Sequence, residues 1–445
     1  MSKRMFGTDG VRGVPGTAPL DTATIARLGF ALAQELGGSP RIACGRDTRD
    51  SGGWIEARLA AGIRAAGGVP IGLGVMPTPG VAVVTARRGF DAGIVISASH
   101  NPYPDNGIKL LQADGAKTAT DVERRIEARV ARASSDGAPV PALADDVCES
   151  VDLTETYVDH LTGITSGVAV AGMRVGIDCA HGATSTLASR VLRRIGVSVI
   201  ELHTSPNGRN INAASGSTQP AALQAAVVEQ GCRLGFAFDG DGDRVMVVDA
   251  DGRLVDGDGV LFVAARHLRA AGRLTGDGIV ATVMSNFGLE AALAREGVTL
   301  HRCPVGDAHV RSEMVRRNVC LGGEQSGHII FSDLLPTGDG LGTALWVLRI
   351  VAETGRELAD LVADLTVFPQ VLLNVPVAGK PELAAVPELD AAIRRAEVRL
   401  TGAGRVLVRY SGTEPVLRVM IEGADRSTVE SLAQGIAERA RRLLG

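Results

Sequence analysis

The chain has 445 residues, 45% of them hydrophobic and 22% charged, with a formal net charge of −4. That length suits three or four domains with sizeable cores, and the near balance of charge, without a long run of one sign, excludes a nucleic-acid arm and an anionic-membrane patch. With no run of eighteen apolar residues, and an opening MSKRMFGTDGVRG that lacks the apolar core of a secretion signal, a cytoplasmic protein with no membrane or nucleic-acid partner is expected.

In chain order, apolar runs of strand length alternate with segments whose apolar positions recur at helical spacing, the pattern of βαβ units with parallel strands. The first round predicts strands at 41–47, 69–74 and 92–99 and helices over 52–66 and 79–88. A second has strands at 173–179, 197–202 and 233–239 and helices over 183–195 and 219–230. The third has strands at 278–283, 298–303 and 318–323 and helices around 287–296 and 306–317. The tail differs in kind: VFPQVLLNVPV, RVLVRY and VLRVMIEG read as strands, with helices over 387–399 and 426–443, a small α+β unit with antiparallel pairing. SSDGAPVPALADD, at 134–146, reads as a linker. The expected fold class is α/β: three consecutive βαβ-type domains with mixed, largely parallel sheets (1–150, 151–252, 253–367), then a smaller C-terminal α+β domain (368–445). The six cysteines, Cys44, Cys148, Cys179, Cys232, Cys303 and Cys320, form no CxxC pair and are expected as buried free thiols.

The third strand of each round runs into an unusual polar loop: SASHNP, then DGDGDR, then GGEQSGH. Ligands collect beyond the carboxyl ends of parallel strands, so three such loops point to a shared cleft. In DGDGDR the glycines let the backbone curl and aim Asp239, Asp241 and Asp243 inward. At ~4 Å and an effective dielectric near 20, each like-charge pair costs roughly 4 kcal/mol, so the trio calls for a cation. An all-oxygen site with room for phosphate suits Mg2+. A calcium EF-hand loop fails, because its sixth-position glycine is Arg244 and its twelfth-position glutamate is Ala250. A solvated acidic turn is the plain alternative, opposed by the apolar FAF and VMVV on either side. Arg244 cannot ligate a metal and suits phosphate.

Ser99 and His100 end a strongly apolar strand, and Asn101-Pro102 forces a turn. Alone, Ser99 reads as a turn-forming hydroxyl. Beside a three-carboxylate metal loop it reads as a nucleophile, because phosphoryl transfer needs an oxygen next to a divalent ion. The acyl-transfer elbow G-x-S-x-G is absent around it. Lys109 reads equally as a surface lysine or as a cation or proton-transfer group turned back to the site. RYSGTEPVLR, at 409–418, brings together Arg409, Ser411, Gly412, Thr413 and Arg418, a set suited to a phosphate dianion. Arg12, in a glycine-spaced loop, can also reach an anion, and Glu324, Ser326 and His328 suit sugar hydroxyls. Walker and dinucleotide glycine patterns are missing, which argues against ATP and NAD.

In this order the loops resemble those of the α-D-phosphohexomutase family, and the resemblance spans essentially the whole chain, implying four domains around a central cleft. SASHNP resembles the phosphoserine loop, DGDGDR the magnesium loop, GGEQSGH the sugar-recognition loop and RYSGTEPVLR the phosphate-binding loop. The resemblance implies that Ser99 is phosphorylated and, through its phosphate, joins Asp239, Asp241 and Asp243 around Mg2+. It implies that Glu324 and Ser326 hold sugar hydroxyls, and that Arg409, Ser411, Gly412, Thr413 and Arg418 anchor the nonreacting phosphate. FGTDGVRG, ISASHNPYPDNGIK, NGRNINAASGS and GGEQSGH resemble the bacterial glucosamine-phosphate branch, and HRCPVGDAHV a further specificity loop. The implied reaction converts glucosamine 6-phosphate to glucosamine 1-phosphate, feeding UDP-N-acetylglucosamine and cell-wall synthesis. It runs through a 1,6-bisphosphate, with glucosamine or glucose 1,6-bisphosphate as activator. The partner is then a small sugar phosphate, a homodimer is left open, and Lys109, His100 and Arg12 are the candidate bases. The alternatives are a glucose or mannose phosphate mutase of the same family, a sugar phosphatase, and a sugar-phosphate-binding protein.

Overall fold

The computed structural model describes residues 4–7, 9–135, 148–411 and 414–445, so most of the expected linker at 134–146 lies outside the described residues. The chain forms two compact units, Met1–Met284 with His301–Val362, and Ser285–Leu300 with Ala363–Gly445.

The first unit carries three sheets. The first contains β1 (Val11–Gly13), β2 (Arg41–Arg46), β3 (Val69–Val75), β4 (Ala92–Ile96), β5 (Asn106–Gln112) and β6 (Glu149–Ser150), in the order β1-β5-β4-β2-β3-β6. β2 runs parallel to β3 and β4, and β5 runs antiparallel to β4 and β1. The second contains β7 (Arg174–Asp178), β8 (Ser198–Leu202), β9 (Leu234–Phe238), β10 (Val245–Val248) and β11 (Leu254–Val255), in the order β11-β10-β9-β7-β8. The third contains β12 (Gly278–Thr282), β13 (Thr299–Cys303), β14 (Leu321–Gly323) and β15 (Ile329–Phe331), in the order β13-β12-β14-β15.

These sheets share one device. The third strand of each round is followed by an antiparallel return: β4 by β5, β9 by β10, β14 by β15. Each polar loop is therefore the tip of a hairpin whose first strand is buried along its length. The expected strand over 92–99 stops at Ile96, because Ser99 adopts a left-handed φ of 52° that no strand can continue. The strand expected over 318–323 is likewise confined to Leu321–Gly323, since Asn318, at φ 54°, closes the preceding helix Asp307–Arg317 in the left-handed conformation. The helices Thr22–Leu36 and Gly52–Ala65 press together through glycines: a Cβ on Gly62 would lie 1.9 Å from the Ala26 carbonyl oxygen, and one on Gly29 2.3 Å from that of Leu59. Ile25, Leu28, Leu32, Ile55, Leu59 and Ile63 then bury against the first sheet's Ile42, Ile94 and Ile108.

The second unit is built on an antiparallel sheet, β16 (Gln370–Pro376), β17 (Gly404–Tyr410) and β18 (Val416–Gly423), in the order β16-β18-β17, with the helices Pro387–Arg399 and Arg426–Leu444. Its core joins Leu389, Val419, Ile421, Val429 and Ile436. The helix Phe287–Arg295 belongs to this unit. Its cap Asn286 exchanges two 2.9 Å hydrogen bonds with the Phe368 backbone, and a Cβ on Gly288 would lie 1.8 Å from the Thr366 carbonyl oxygen. All six cysteines are buried and free, and no helix among the described residues is long and apolar enough to cross a membrane.

Candidate active site

Ser99 is fully buried at the tip of the β4–β5 hairpin. Its left-handed backbone is unusual for a side chain with a Cβ and persists because several groups hold it there. Ser97 Oγ accepts the Ser99 N–H at 2.9 Å and donates to Asp47 Oδ2 at 2.6 Å. Arg49, itself fully buried, pairs with Asp47 at 2.9 Å and donates to the carbonyls of Ser99 (3.0 Å), Asn101 (2.8 Å) and Pro102 (2.5 Å). Asn212 Nδ2 adds 2.9 Å bonds to Ser99 O and Asn101 O. A Cβ on Gly240 would lie 2.6 Å from Ser99 O, so the glycine of the carboxylate loop permits the two loops to meet. In that arrangement Ser99 Oγ donates to Asp239 Oδ2 at 2.6 Å, with His100 Nδ1 at 3.4 Å.

One oxygen from each of Asp239, Asp241 and Asp243 lies within 4.8 Å of the others, and all three side chains are buried. Burial, followed by Asp243 and Asp241, pushes the Asp239 carboxyl well above the usual carboxylate range. Burial acts the same way on Asp243, but Lys109 and His328 override it and hold that carboxyl well below the range. Asp241 Oδ2 accepts from Lys109 Nζ at 2.9 Å and Thr78 Oγ1 at 2.6 Å, while Asp241 Oδ1 and Asp243 Oδ1 are buried with no hydrogen-bond partner. Buried carboxylate oxygens are not left unpaired without cost. Asp243 Oδ1 has Arg244 Nε 3.7 Å away, too far for a hydrogen bond, and the two oxygens without hydrogen bonds fit a small divalent cation, the all-oxygen donor set fitting Mg2+.

Lys109 is not a surface lysine. The antiparallel register sets it opposite Val95, and its buried ammonium touches Asp241 at 2.9 Å, Asp9 at 3.2 Å and Asp243 at 3.3 Å. Burial opposes its charge, but Asp241, Asp9 and Asp243 prevail and keep its pKa well above that of a free lysine. Arg12 donates to the Ala98 carbonyl at 3.0 Å, reaches Asn101 Oδ1 at 3.4 Å and is ion-paired with Asp9. His100 is held below its ordinary pKa by burial, then by Arg244 and Arg12. His328 is buried: its Nε2 accepts the Gly338 N–H at 3.0 Å, which leaves Nδ1 to carry the proton 3.6 Å from Asp243 Oδ2.

Two cavities open from this centre. One, of about 420 Å³, is lined by Arg4, Met5, Gly7, Asp9, Gly10, Arg12, His100 and Arg244. The other, of about 500 Å³, is lined by Arg244, Met246, Leu254, Asp256, Thr282, Met284, Val305, Glu324, Gln325 and Ser326. Arg244 lines both. The first, with three guanidinium groups, suits a phosphate, and the second has the mixed apolar and polar lining of a sugar site. In the second unit, Arg409 stands opposite Arg418 across the β17–β18 register. Burial, then Arg418, lowers the Arg409 pKa, and Arg418 donates to Glu414 at 2.9 Å. Buried Ser411 gives its carbonyl to Lys380 Nζ at 2.5 Å. Gly412 and Thr413 lie outside the described residues.

Sequence reasoning missed Asp9, Thr78, Asp47, Arg49, Asn212, Asp256, Arg4 and Lys380. Asp9 stands within the FGTDGVRG segment that yielded Arg12 and Asn212 within NGRNINAASGS, so those segments carried a signal; the others become visible only through their partners.

A buried serine oxygen, a cation-ready carboxylate cluster and guanidinium-lined cavities together define a phosphoryl-transfer enzyme. Residues 3–136, 155–252, 256–368 and 372–439 match, in turn, domains I, II and III and the C-terminal domain of phosphoglucomutase/phosphomannomutase. The chain belongs to the phosphoglucomutase/phosphomannomutase family. It is 48% identical over 444 residues to a phosphoglucosamine mutase of Symbiobacterium thermophilum, covering 98% of this chain and 99% of the relative. A phosphoglucosamine mutase of Solibacter usitatus is 45% identical over the full length of both. Among solved structures, a phosphoglucomutase/phosphomannomutase family protein of Burkholderia thailandensis superposes with a TM-score of 0.80 at 25% identity, covering 99% of this chain and 98% of that one. An Aspergillus fumigatus N-acetylphosphoglucosamine mutase, solved with GlcNAc-6P and magnesium, shares the fold at a TM-score of 0.69 and 19% identity, covering 98% of this chain and 95% of that one.

Proposed function

We propose that the chain interconverts glucosamine 6-phosphate and glucosamine 1-phosphate, with Ser99 carrying the phosphoryl group between turnovers. The observation that carries this reading is the Ser99 Oγ to Asp239 Oδ2 bond at 2.6 Å beside two orphaned carboxylate oxygens. Full-length likeness to phosphoglucosamine mutases supports the choice of sugar.

In this reading the bond between Ser99 Oγ and phosphorus breaks as a sugar hydroxyl oxygen bonds to phosphorus; the hydroxyl proton passes to a nearby base, and the leaving Ser99 Oγ keeps the electron pair of the broken bond and takes up a proton. The 1,6-bisphosphate then turns over in the site; Ser99 Oγ, giving up its proton, bonds to the other phosphorus as the bond from that phosphorus to the sugar oxygen breaks, and the sugar oxygen takes the proton held by the base. His100 is the base best supported by position, because arginine keeps its protons and the Lys109 ammonium is committed to three carboxylates. A magnesium ion held by Asp239, Asp241, Asp243 and the phosphoserine would neutralise charge on the moving group. Arg12 and Arg244 would bind the reacting phosphate, Glu324 and Ser326 the sugar hydroxyls, with His328 bracing Asp243 behind them. Arg409, Ser411, Gly412, Thr413 and Arg418 would hold the distal phosphate. The four segments 1–150, 151–252, 253–367 and 368–445 would each supply one loop, in a cytoplasmic enzyme for which light scattering decides between monomer and homodimer.

The deciding experiment is a panel of glucosamine, N-acetylglucosamine, glucose and mannose 6-phosphates assayed with Mg2+ and a hexose 1,6-bisphosphate activator. The highest kcat/KM is expected for glucosamine 6-phosphate. Preference for glucose or mannose phosphate would reassign the sugar, and net release of inorganic phosphate would indicate a phosphatase.

A further inference from the structure

We propose that Asp256, braced by Gln325, reads the amino group on C2 of the hexosamine phosphate and so sets the preference for an amino sugar over a hydroxyl sugar. This rests on the substrate reading above and names a residue that neither the metal nor the phosphate chemistry requires.

Asp256 follows β11 and caps the helix Gly257–Ala270. Its Oδ1 accepts from the backbone of Asp258 at 3.1 Å and Gly259 at 3.2 Å, and its Oδ2 accepts from Gln325 Nε2 at 3.1 Å. All of these donors are neutral, and Asp256 forms no ion pair among the described residues. Burial raises its pKa, and the hydrogen bonds from Gly259, Gln325 and Asp258 offset that only in part.

The carboxylate is also locked to the sugar loop through the backbone. Gly257 N donates to Gln325 O at 3.0 Å, and a Cβ on Gly257 would lie 2.0 Å from Glu324 O. Only glycine lets the helix cap sit this close to the GGEQSGH segment. Asp256 therefore keeps a set position in the 500 Å³ cavity that also holds Glu324, Gln325 and Ser326.

The chemistry of the ligand completes the argument. Sugar hydroxyls are neutral and are satisfied by any donor or acceptor. A C2 ammonium is charged and needs an anion, and Met246, Leu254, Met284 and Val305 in the same wall lower the local dielectric and strengthen that requirement. Asp256 Oδ2, whose present donor is a neutral amide, gains a charge-assisted bond from an ammonium that a hydroxyl cannot give. An acetylated nitrogen is neutral and forfeits the same gain.

The test measures kcat/KM for glucosamine, N-acetylglucosamine and glucose 6-phosphates with the wild-type chain, Asp256→Asn and Gln325→Leu. Asparagine still caps a helix, so Asp256→Asn removes the charge with little cost to the fold. In Asp256→Asn the ratio of kcat/KM between glucosamine and glucose phosphates should fall by about tenfold or more, chiefly through KM for the amino sugar. Gln325→Leu, which frees the carboxylate from its brace, should lower the same ratio, and it carries the test if Asp256→Asn does not fold. A wild-type ratio retained in the variants, or equal losses on all three sugars, overturns the inference. A wild-type enzyme with no preference for glucosamine phosphate overturns the substrate reading itself, a different result.

Discussion

The Lys109 ammonium donates to Asp241 Oδ2 at 2.9 Å, and the other oxygen of that carboxylate is buried with no partner. The lysine, from β5, thus neutralises part of a carboxylate cluster in the β9–β10 loop while Asp241 Oδ1 and Asp243 Oδ1 accept no hydrogen bond. Lysine compensates part of the negative charge, and the unmatched oxygens define where a cation belongs.

Removing that lysine should be costly. In Lys109→Met, Asp9, Asp241 and Asp243 lose their shared cation, and breaking such a buried pair typically costs about 3–5 kcal/mol. Urea denaturation in the presence of a chelator should register this loss, with Mg2+ restoring part of it. Stability equal to that of the wild-type chain would remove Lys109 from the electrostatics of the cluster.

Chelation should abolish turnover, and Mg2+ should restore it. Asp241→Asn should weaken magnesium binding, read directly by calorimetry, and lower the rate with it. Unaltered magnesium affinity in that variant would mean that the cation lies elsewhere.

Ser99→Ala should lose turnover by on the order of 10⁴ or more, the scale on which removal of a nucleophile acts. Peptide mass spectrometry of the active wild-type protein should locate phosphate on Ser99. Normal activity in the alanine variant would end the covalent mechanism.

A pH effect follows from Asp339, which burial raises from 3.8 to about 6 as it caps the helix Gly340–Thr354 and accepts from Tyr157 at 2.9 Å. The folded chain holds this proton more tightly than the unfolded chain. The contribution to stability is therefore complete below about 3.8 and is lost as pH rises through about 6. Urea unfolding with chelator present should find the stability of wild type relative to Asp339→Asn falling as pH goes from acid to neutral. A difference independent of pH would place the Asp339 titration outside this window.

Arg418→Ala should weaken every phosphosugar alike, by about 1.5–3 kcal/mol, if it supplies a charge-assisted bond to the distal phosphate. Steady-state KM values across the sugar panel check this. A change in sugar preference would assign Arg418 to recognition of the ring.

How far the site was legible follows from the range over which each signal acts. Asp239, Asp241 and Asp243 stand two apart between glycines and apolar strands, so their crowding is written in the local chain. Ser99 could be placed at a strand end for the same reason, because apolar runs and Asn-Pro turns act over a few residues. The return strands β5 and β15 were not anticipated; the repeat was read from parallel units, and those strands show their pairing only in the sheet.

The sequence alone determined the loops, their order, the three α/β rounds and the antiparallel tail, since hydrophobic periodicity and turn chemistry are local. Tertiary structure decided which groups meet. Lys109 could be surface or core until β5 paired against β4 and carried it to carboxylates more than 130 positions away. Asp9 and Thr78 reached the same cluster, and Asp256 came to face Gln325 across 69 positions, by contacts of the same kind. The physical reason is that burial and charge compensation act through space, and the distance that sets them is the one left after the sheets have chosen their neighbours.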